Sequence, residues 1–152
     1  MSSEPILICY DGSQSAEHSF QAAAALLAGH TAIVVDIGPV LTGVEGYAAV
    51  TPGINIAWLE QENLADALER AEQGAELARR AGFDAEARAE LAAPTWEGIV
   101  DLANEIDAAV IVIGSRGLKG VRERLAGSVS HEVAEHARRP VLVVPPNEPP
   151  LS

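Results

Sequence analysis

The stretch 108–145 contains two short runs of β-branched residues, 110–113 and 141–144, separated by a glycine-rich loop and a segment with helical periodicity. Continuous β-branched runs of this length favour buried strands, and parallel strands are usually joined through a helix. The stretch therefore predicts a strand, a long loop, a helix and a second, parallel strand. The loop delivers Gly127 and Ser128 to the predicted start of the helix, where unpaired N–H groups and the helix dipole favour an anion.

The rest of the chain shows the same alternation. Apolar runs at 5–10 and 31–37 predict two more strands, and a weaker alternating pattern predicts another at 84–91. Helical spacing of apolar residues predicts a helix after each of these strands. The residues that mark these helices are Ala16, Phe20, Ala23, Ala24 and Leu27, then Leu64, Leu68, Ala71, Ala75 and Ala78, and then Ile99, Ala103 and Ile106. The predicted N-caps are Ser13 or Ser15 for the first helix and Thr95 for the third.

This βαβαβαβαβ order predicts an α/β fold, an open parallel five-stranded sheet with helices on both faces and right-handed crossovers. The continuous apolar strands agree with a sheet that is covered on both faces. No internal repeat or linker divides the chain, so we expect a single domain over residues 1–152. The segment 38–58, which contains four glycines and two prolines, is interpreted as a long connection that is able to fold over a site.

Composition restricts the function classes. The net charge of −12 disfavours binding to nucleic acid or to an anionic membrane. The N-terminus lacks a basic region and no apolar segment reaches membrane-spanning length, so we expect a cytoplasmic protein. Cys9 is the only cysteine, and it is interpreted as a buried structural thiol in a reducing compartment.

Two of the predicted strands end in residues suited to ligand binding. Asp11 and Gly12 follow the first strand, and Gly114 follows the fourth. Ligands of open α/β sheets bind beyond the carboxyl ends of the strands, where the strand order reverses, and an order of 3-2-1-4-5 makes strands 1 and 4 neighbours. Asp11 is able to accept hydrogen bonds from ribose hydroxyls or to help hold a divalent cation. Gly117, in the loop after Gly114, also lacks a Cβ and lets the backbone approach a ligand closely.

The segment 115–126 is basic although the chain is acidic. It carries Arg116, Lys119, Arg122 and Arg124 against Glu123, a local balance of +3. These charges lie beside the predicted anion site, although a solvated loop explains any single one of them equally well.

The spacing Gly114-x2-Gly117-x9-Gly127-Ser128 resembles the ATP-binding motif of the universal stress protein family, G-x2-G-x9-G-[ST]. Further pieces of the resemblance occur in the family's order and cover essentially the whole chain. They are Tyr10 to Ser13 after strand 1, Pro94 opening helix 3 with Ile99 five residues on, and Pro140 to Pro145 at the end. One position departs from the family, because strand 2 ends in Asp36-Ile37 where a His-Val pair is common.

The resemblance implies a cytoplasmic stress-response protein with the fold of adenine-nucleotide hydrolases, which binds ATP, or AMP or ADP, together with Mg²⁺ or Mn²⁺. It also implies a homodimer that pairs through the last strand, Val141 to Val144. The family's nucleotide-binding residues carry over to Asp11, Gly12 and the backbone near Ile37, to Ile113, Gly114, Arg116 and Gly117, and to Gly127, Ser128, Val129 and Ser130. The last four would bind phosphates.

Two alternative functions stay open: a protein-interaction module of the same fold that has lost nucleotide binding, and a slow ATP hydrolase. The sequence offers no activated nucleophile and no committed general base, so a binding module is favoured over an enzyme. His131 and His136 are five residues apart, whereas a zinc helix needs ligands four apart on one face. A phospho-acceptor receiver domain is excluded because no Asp ends strand 3 and no Lys ends strand 5.

Overall fold

The structure, a computed structural model, describes residues 4–41, 51–115 and 124–145, in which strands and helices alternate. The strands are β1 Ile6–Cys9, β2 Thr31–Gly38, β3 Asp84–Leu91, β4 Ile111–Gly114 and β5 Val141–Val144. The helices, numbered α1 to α4 in chain order, are Gln14–Leu27, Ile56–Arg80, Thr95–Glu105 and Arg124–His136. All five predicted strands are therefore present, including the weakly alternating one at Asp84–Leu91.

The five strands form one parallel sheet in the order β3-β2-β1-β4-β5, which confirms the predicted fold class. The central strand β1 pairs with β4, and in this pair Leu7 lies opposite Ile111 and Ile8 opposite Val112. Because the strand order reverses at this pair, the loops after β1 and β4 leave the sheet side by side.

Alternate residues of the strands pack on opposite faces of the sheet, as the twofold repeat of a strand requires. On one face Ile8 and Val34 pack with Phe20 of α1 and Ala75 of α2. On the other face Leu7 and Ile111 pack with Ile99 of α3 and Val133 of α4. Each face therefore has its own apolar core, and the sheet is covered on both sides.

Two of the three helix starts that the sequence indicated differ in the structure. The N-cap of α1 is Ser13, as predicted, because its Oγ accepts a hydrogen bond from the Ala16 amide at 3.1 Å. Thr95 is not the cap of α3: it is the first helical residue, and Pro94 holds the N-cap position in an extended conformation. Helix α4 begins at Arg124 rather than at Ser128, because good helix formers extend it backwards.

Leu64 and Leu68, which mark the helical spacing of α2, do not belong to its buried stripe. Their exposed fractions are 39% and 43%, and the first three turns of the helix contribute no buried residue. The buried stripe consists of small residues, Ala67, Ala71, Gly74, Ala75 and Ala78. Small side chains let the helix axis come close to the sheet, and this close packing decides which face is buried.

None of the helices within the described residues is long and apolar enough to span a membrane. Of the predicted connection 38–58, residues 42–50 lie outside the described part of the chain, and α2 begins within it at Ile56.

Candidate functional site

The strands β1 and β4 are neighbours and end at the same, carboxyl edge of the sheet. The amide of Tyr10, the residue after β1, donates to the carbonyl of Val35 at 2.9 Å, so β1 stays paired with β2 up to its end. The amide of Ser115, the residue after β4, donates to the carbonyl of Val144 at 2.9 Å. Asp11 follows β1 and Gly114 is the last residue of β4, so the two residues lie at the same edge of two neighbouring strands.

The turn between β1 and α1 is fixed by hydrogen bonds of its own. Oδ1 of Asp11 accepts from the Ser13 amide at 2.9 Å, and Ser13 in turn caps α1. Gly12 has a φ of +88°, a conformation that side chains with a Cβ rarely adopt. The turn thus holds the Asp11 carboxylate at the edge of the sheet in a defined orientation.

A buried ion pair lies beside this turn. Nε of Arg70, in α2, donates to Oδ2 of Asp36 at 2.6 Å, and the Asp36 side chain is only 5% exposed. A Cβ at Gly12 would lie 3.8 Å from Cδ of Arg70, so the arginine side chain passes next to the β1–α1 turn. Sequence reasoning missed this contact, because Arg70 is one of many charged residues in α2. The available signal was Asp36 itself, since a carboxylate within an apolar strand requires a partner.

The Cys9 thiol ends β1 between these two acidic groups. Burial, which is the largest cause, and the nearby carboxylates of Asp11 and Asp36 together raise the pKa of Cys9 to about 12. The thiol is therefore protonated at neutral pH, and a protonated thiol is a poor nucleophile. This agrees with the interpretation of Cys9 as a structural residue.

The side chains of Ile37 and Ile113 belong to the core rather than to an open surface. Ile113 is 6% exposed, and Ile37 packs into the same apolar cluster. A Cβ at Gly98 of α3 would lie 3.4 Å from two atoms of Ile37, so this helix covers the isoleucine closely. At both positions, the groups suited to contact a polar ligand are the backbone N–H and C=O groups.

The predicted phosphate-binding residues lie in the first two turns of α4. Because the helix begins at Arg124, Gly127 and Ser128 lie within it rather than before it. The unpaired N–H groups of a helix lie in its first turn, and Ser128 to Ser130 come after that turn in α4. Val129 packs partly against the apolar core, and Ser130 is 7% exposed.

Part of the predicted site falls outside the described residues. Arg116 and Gly117 of the glycine motif lie there, as do Lys119 and Arg122 of the basic loop. The structure therefore brings together Asp11, Gly12 and Gly114 at one edge of the sheet, and it places Gly127 to Ser130 in the helix that follows β4.

One cluster of potential metal ligands occurs in the described residues, away from this edge. Ligand atoms of Glu132, Glu135 and His136 lie within 4.8 Å of one another near the carboxyl end of α4. Oε2 of Glu132 is 3.4 Å from Nδ1 of His136, and Oε2 of Glu135 is 3.6 Å from Nε2 of His131. Exposed pairs of this kind are common on helix surfaces and need no metal.

Comparison with known proteins matches residues 3–145 to the universal stress protein family. Universal stress protein YxiE of Bacillus subtilis is 40% identical over 73 residues, which cover 48% of this chain and 49% of that protein. A universal stress protein of Mycolicibacterium smegmatis is 31% identical over 150 residues, covering 93% of this chain and 46% of that protein. The chain spans about half the length of these curated relatives.

Solved structures share the fold. The universal stress protein from Archaeoglobus fulgidus in complex with dAMP is 27% identical, with a TM-score of 0.64 over 95% of this chain and 99% of that chain. Universal stress proteins with cAMP and with AMP bound also have this fold, at 24% and 16% identity. Since the family match extends over both strand ends and the helix that follows β4, this chain belongs to the universal stress protein family.

Proposed function

We propose that this protein binds an adenine nucleotide, ATP, at the carboxyl edge of its sheet. The observation that carries the proposal is the adjacency of β1 and β4, which sets the turn after β1, with Asp11, beside Gly114 at the end of β4. Helix α4 is the next helix in the chain after β4, and the positive end of its dipole suits phosphate groups. The dAMP complex of the Archaeoglobus fulgidus relative supports an adenine nucleotide as the ligand.

The proposed roles follow the chemistry at each position. The Asp11 carboxylate accepts hydrogen bonds from the ribose hydroxyls, and the backbone at Gly12 and Ile37 contacts the nucleoside. The backbone of Ile113 and Gly114, with Arg116 and Gly117, lines the adenosine and the start of the phosphate chain. We assign the phosphates to the first turn of α4, where the unpaired N–H groups of the helix lie. Gly127 is at the end of that turn, and Ser128, Val129 and Ser130 follow it in the helix. Mg²⁺ or Mn²⁺ would neutralise the negative charge of a triphosphate. We therefore expect the metal to bind together with the nucleotide.

Regulation suits this site better than catalysis. The Cys9 thiol at the edge is protonated at neutral pH, and the described residues offer no other paired nucleophile and base. We infer a cytoplasmic stress-response module whose bound nucleotide sets its state of association. The apolar edge strand β5 provides the surface for a homodimer, because an exposed edge of unpaired N–H and C=O groups favours pairing with a second strand.

Isothermal titration of the protein with ATP and Mg²⁺ tests the proposal directly. We expect saturable heat, and no heat with ATP in the millimolar range would contradict it. Mass spectrometry of the natively purified protein separates this function from the interaction module. Co-purified ATP, ADP or AMP would exclude a module that has lost nucleotide binding. Phosphate release well above a buffer control, lost in Asp11→Ala, would instead support the slow hydrolase.

A further inference from the structure

We propose that Arg70 determines how strongly the site accepts charged nucleotides, by neutralising Asp36 next to the Asp11 turn. Arg70 is a positioning and charge-compensating residue in this proposal, since it acts through Asp36. The inference rests on the proposed nucleotide-binding function and adds a residue that the glycine motif does not include.

The ion pair of Arg70 and Asp36 joins α2 to β2. Asp36 directly precedes Ile37 in β2, and Arg70 reaches it from α2 at 2.6 Å. The aliphatic part of Arg70 lies against Gly12, with 3.8 Å from its Cδ to the Cβ position of that glycine. The guanidinium is therefore anchored between the ends of β1 and β2, at the edge where the nucleoside is proposed to bind.

Two carboxylates contribute negative charge at this edge of the sheet. Asp11 and Asp36 both act electrostatically on the Cys9 thiol, so the two carboxylates are close to the same end of β1. Without a cation they would present two negative charges to a ligand that is itself an anion. Arg70 reduces this to one, which leaves Asp11 to accept hydrogen bonds from the ribose. Because Asp36 is 5% exposed, water screens its charge poorly and the compensation must come from the protein.

An effect of charge on nucleotide affinity can be distinguished from an effect of a distorted turn. Like charges several ångströms apart at a partly buried site repel strongly enough to change affinity by about tenfold. A neutral nucleoside does not experience this repulsion. Removal of Arg70 should therefore weaken ATP selectively, whereas a general distortion of the turn should weaken ATP and adenosine alike.

The experiment compares ATP and adenosine by isothermal titration for wild type, Arg70→Met, and the double variant Asp36→Asn with Arg70→Met. We expect Arg70→Met to weaken ATP about tenfold and adenosine less than threefold. The double variant, which removes both charges, should recover ATP affinity to within threefold of wild type. Arg70→Lys, which keeps the positive charge, should lie between wild type and Arg70→Met. Circular dichroism under the titration conditions shows that each variant is folded.

Arg80→Met is the matched control, because Arg80 lies on the same helix with a 72% exposed side chain and pairs only loosely with Glu76, at 3.8 Å. Arg80→Met should change neither the affinity for ATP nor the affinity for adenosine. Equal weakening of ATP and adenosine in Arg70→Met, no weakening at all, or no recovery in the double variant would each overturn the inference while leaving the proposed function intact. If the wild type binds neither ligand, the proposed function fails and this inference fails with it.

Discussion

Gly74 of α2 lies so close to Tyr10 that a Cβ at this glycine would be 2.6 Å from Cδ1 of the tyrosine ring. The same Cβ would be 2.8 Å from Cγ1 of Val34. Both contacts are to buried side chains of the sheet. Helix α2 therefore packs on β1 and β2 at a distance that only glycine permits at this position.

We predict that Gly74→Ala destabilises the protein although alanine is the better helix former. Overpacking a filled core costs about 1–3 kcal/mol, and contacts of 2.6 and 2.8 Å correspond to the upper part of that range, about 2–3 kcal/mol. The gain in helix propensity is about 1 kcal/mol. The expected result is a net loss of about 1–2 kcal/mol in the free energy of unfolding, measured by chemical denaturation. Gln73→Ala, at the exposed neighbouring position, serves as the control and should change stability little. A stability of Gly74→Ala equal to or above wild type would contradict the close packing.

Arg139 ties the start of β5 to the end of α3, at the opposite edge of the sheet from the proposed site. Its Nη1 donates to the carbonyl of Ala108, and its Nη2 donates to Oδ1 of Asn104 at 2.9 Å. Arg139→Met should cost about 1–3 kcal/mol of unfolding free energy, because a buried carbonyl would lose its donor. Thermal or chemical denaturation measures this loss, and nucleotide affinity should stay unchanged.

Arg138→Asn is the control for Arg139→Met. Arg138 is exposed and has a φ of +52°, a backbone conformation that asparagine tolerates well. If both variants lose the same stability, the effect would come from the turn rather than from the hydrogen bonds of Arg139.

The raised pKa of Cys9 predicts a pH dependence of stability. Burial is the main cause of the rise, and the pKa of the thiol changes from 9.0 to about 12 in the folded protein. In the unfolded chain the thiol ionises from about pH 9, whereas in the folded protein it stays protonated. The contribution is therefore fully present below pH 9 and is lost as the pH rises toward 12. Between pH 8 and 10 the loss should be about 1 kcal/mol relative to Cys9→Ala, which lacks this titration. If the unfolding free energy of the wild type and of Cys9→Ala depends on pH in the same way, the pKa of Cys9 is not raised by folding.

The elements of the fold could be predicted from the sequence because their signals are local. Runs such as 110–113 and the glycines that end them predict strands and turns, and the alternation with helices predicts a parallel sheet. The order 3-2-1-4-5, which the structure confirms, was expected because it makes strands 1 and 4 neighbours and agrees with the resemblance to the family. The strand Asp84–Leu91 has a weak pattern because it forms an edge, where one side of the strand has no neighbour.

What the sequence did not predict depends on contacts between distant segments. Asp36 and Arg70 are 34 residues apart, and nothing in the helical charge pattern of α2 distinguishes this arginine from its exposed neighbours. Leu64 and Leu68 fit the helical spacing of a buried stripe as well as Ala67 and Ala71 do. Only the close approach of α2 to the sheet selects the alanines.

Asp11 has an observed role in the turn after β1 and a proposed role in binding ribose, and a conservative substitution can separate the two. Its Oδ1 accepts from the Ser13 amide at 2.9 Å, a bond that an asparagine side chain can also accept. Asp11→Asn should therefore keep the stability of wild type within about 0.5 kcal/mol, while ATP affinity falls about tenfold because the carboxylate hydrogen bonds to ribose weaken. Asp11→Ala should lose both stability and affinity. Calorimetry and chemical denaturation of both variants measure the two effects, and unchanged ATP affinity in Asp11→Asn would exclude the carboxylate from the binding site.

The edge strand β5 predicts the mode of self-association. Val143, in the middle of this apolar strand, is 40% exposed. If two copies pair through β5, Val143→Lys should convert the dimer to a monomer, since burying an ammonium group between two strands is costly. Sedimentation velocity measures the state of association of the intact chain. Glu86→Lys, at an exposed position on the other edge strand β3, is the matched control and should leave the dimer intact. A dimer that survives Val143→Lys and dissociates in Glu86→Lys would place the interface on the opposite edge of the sheet.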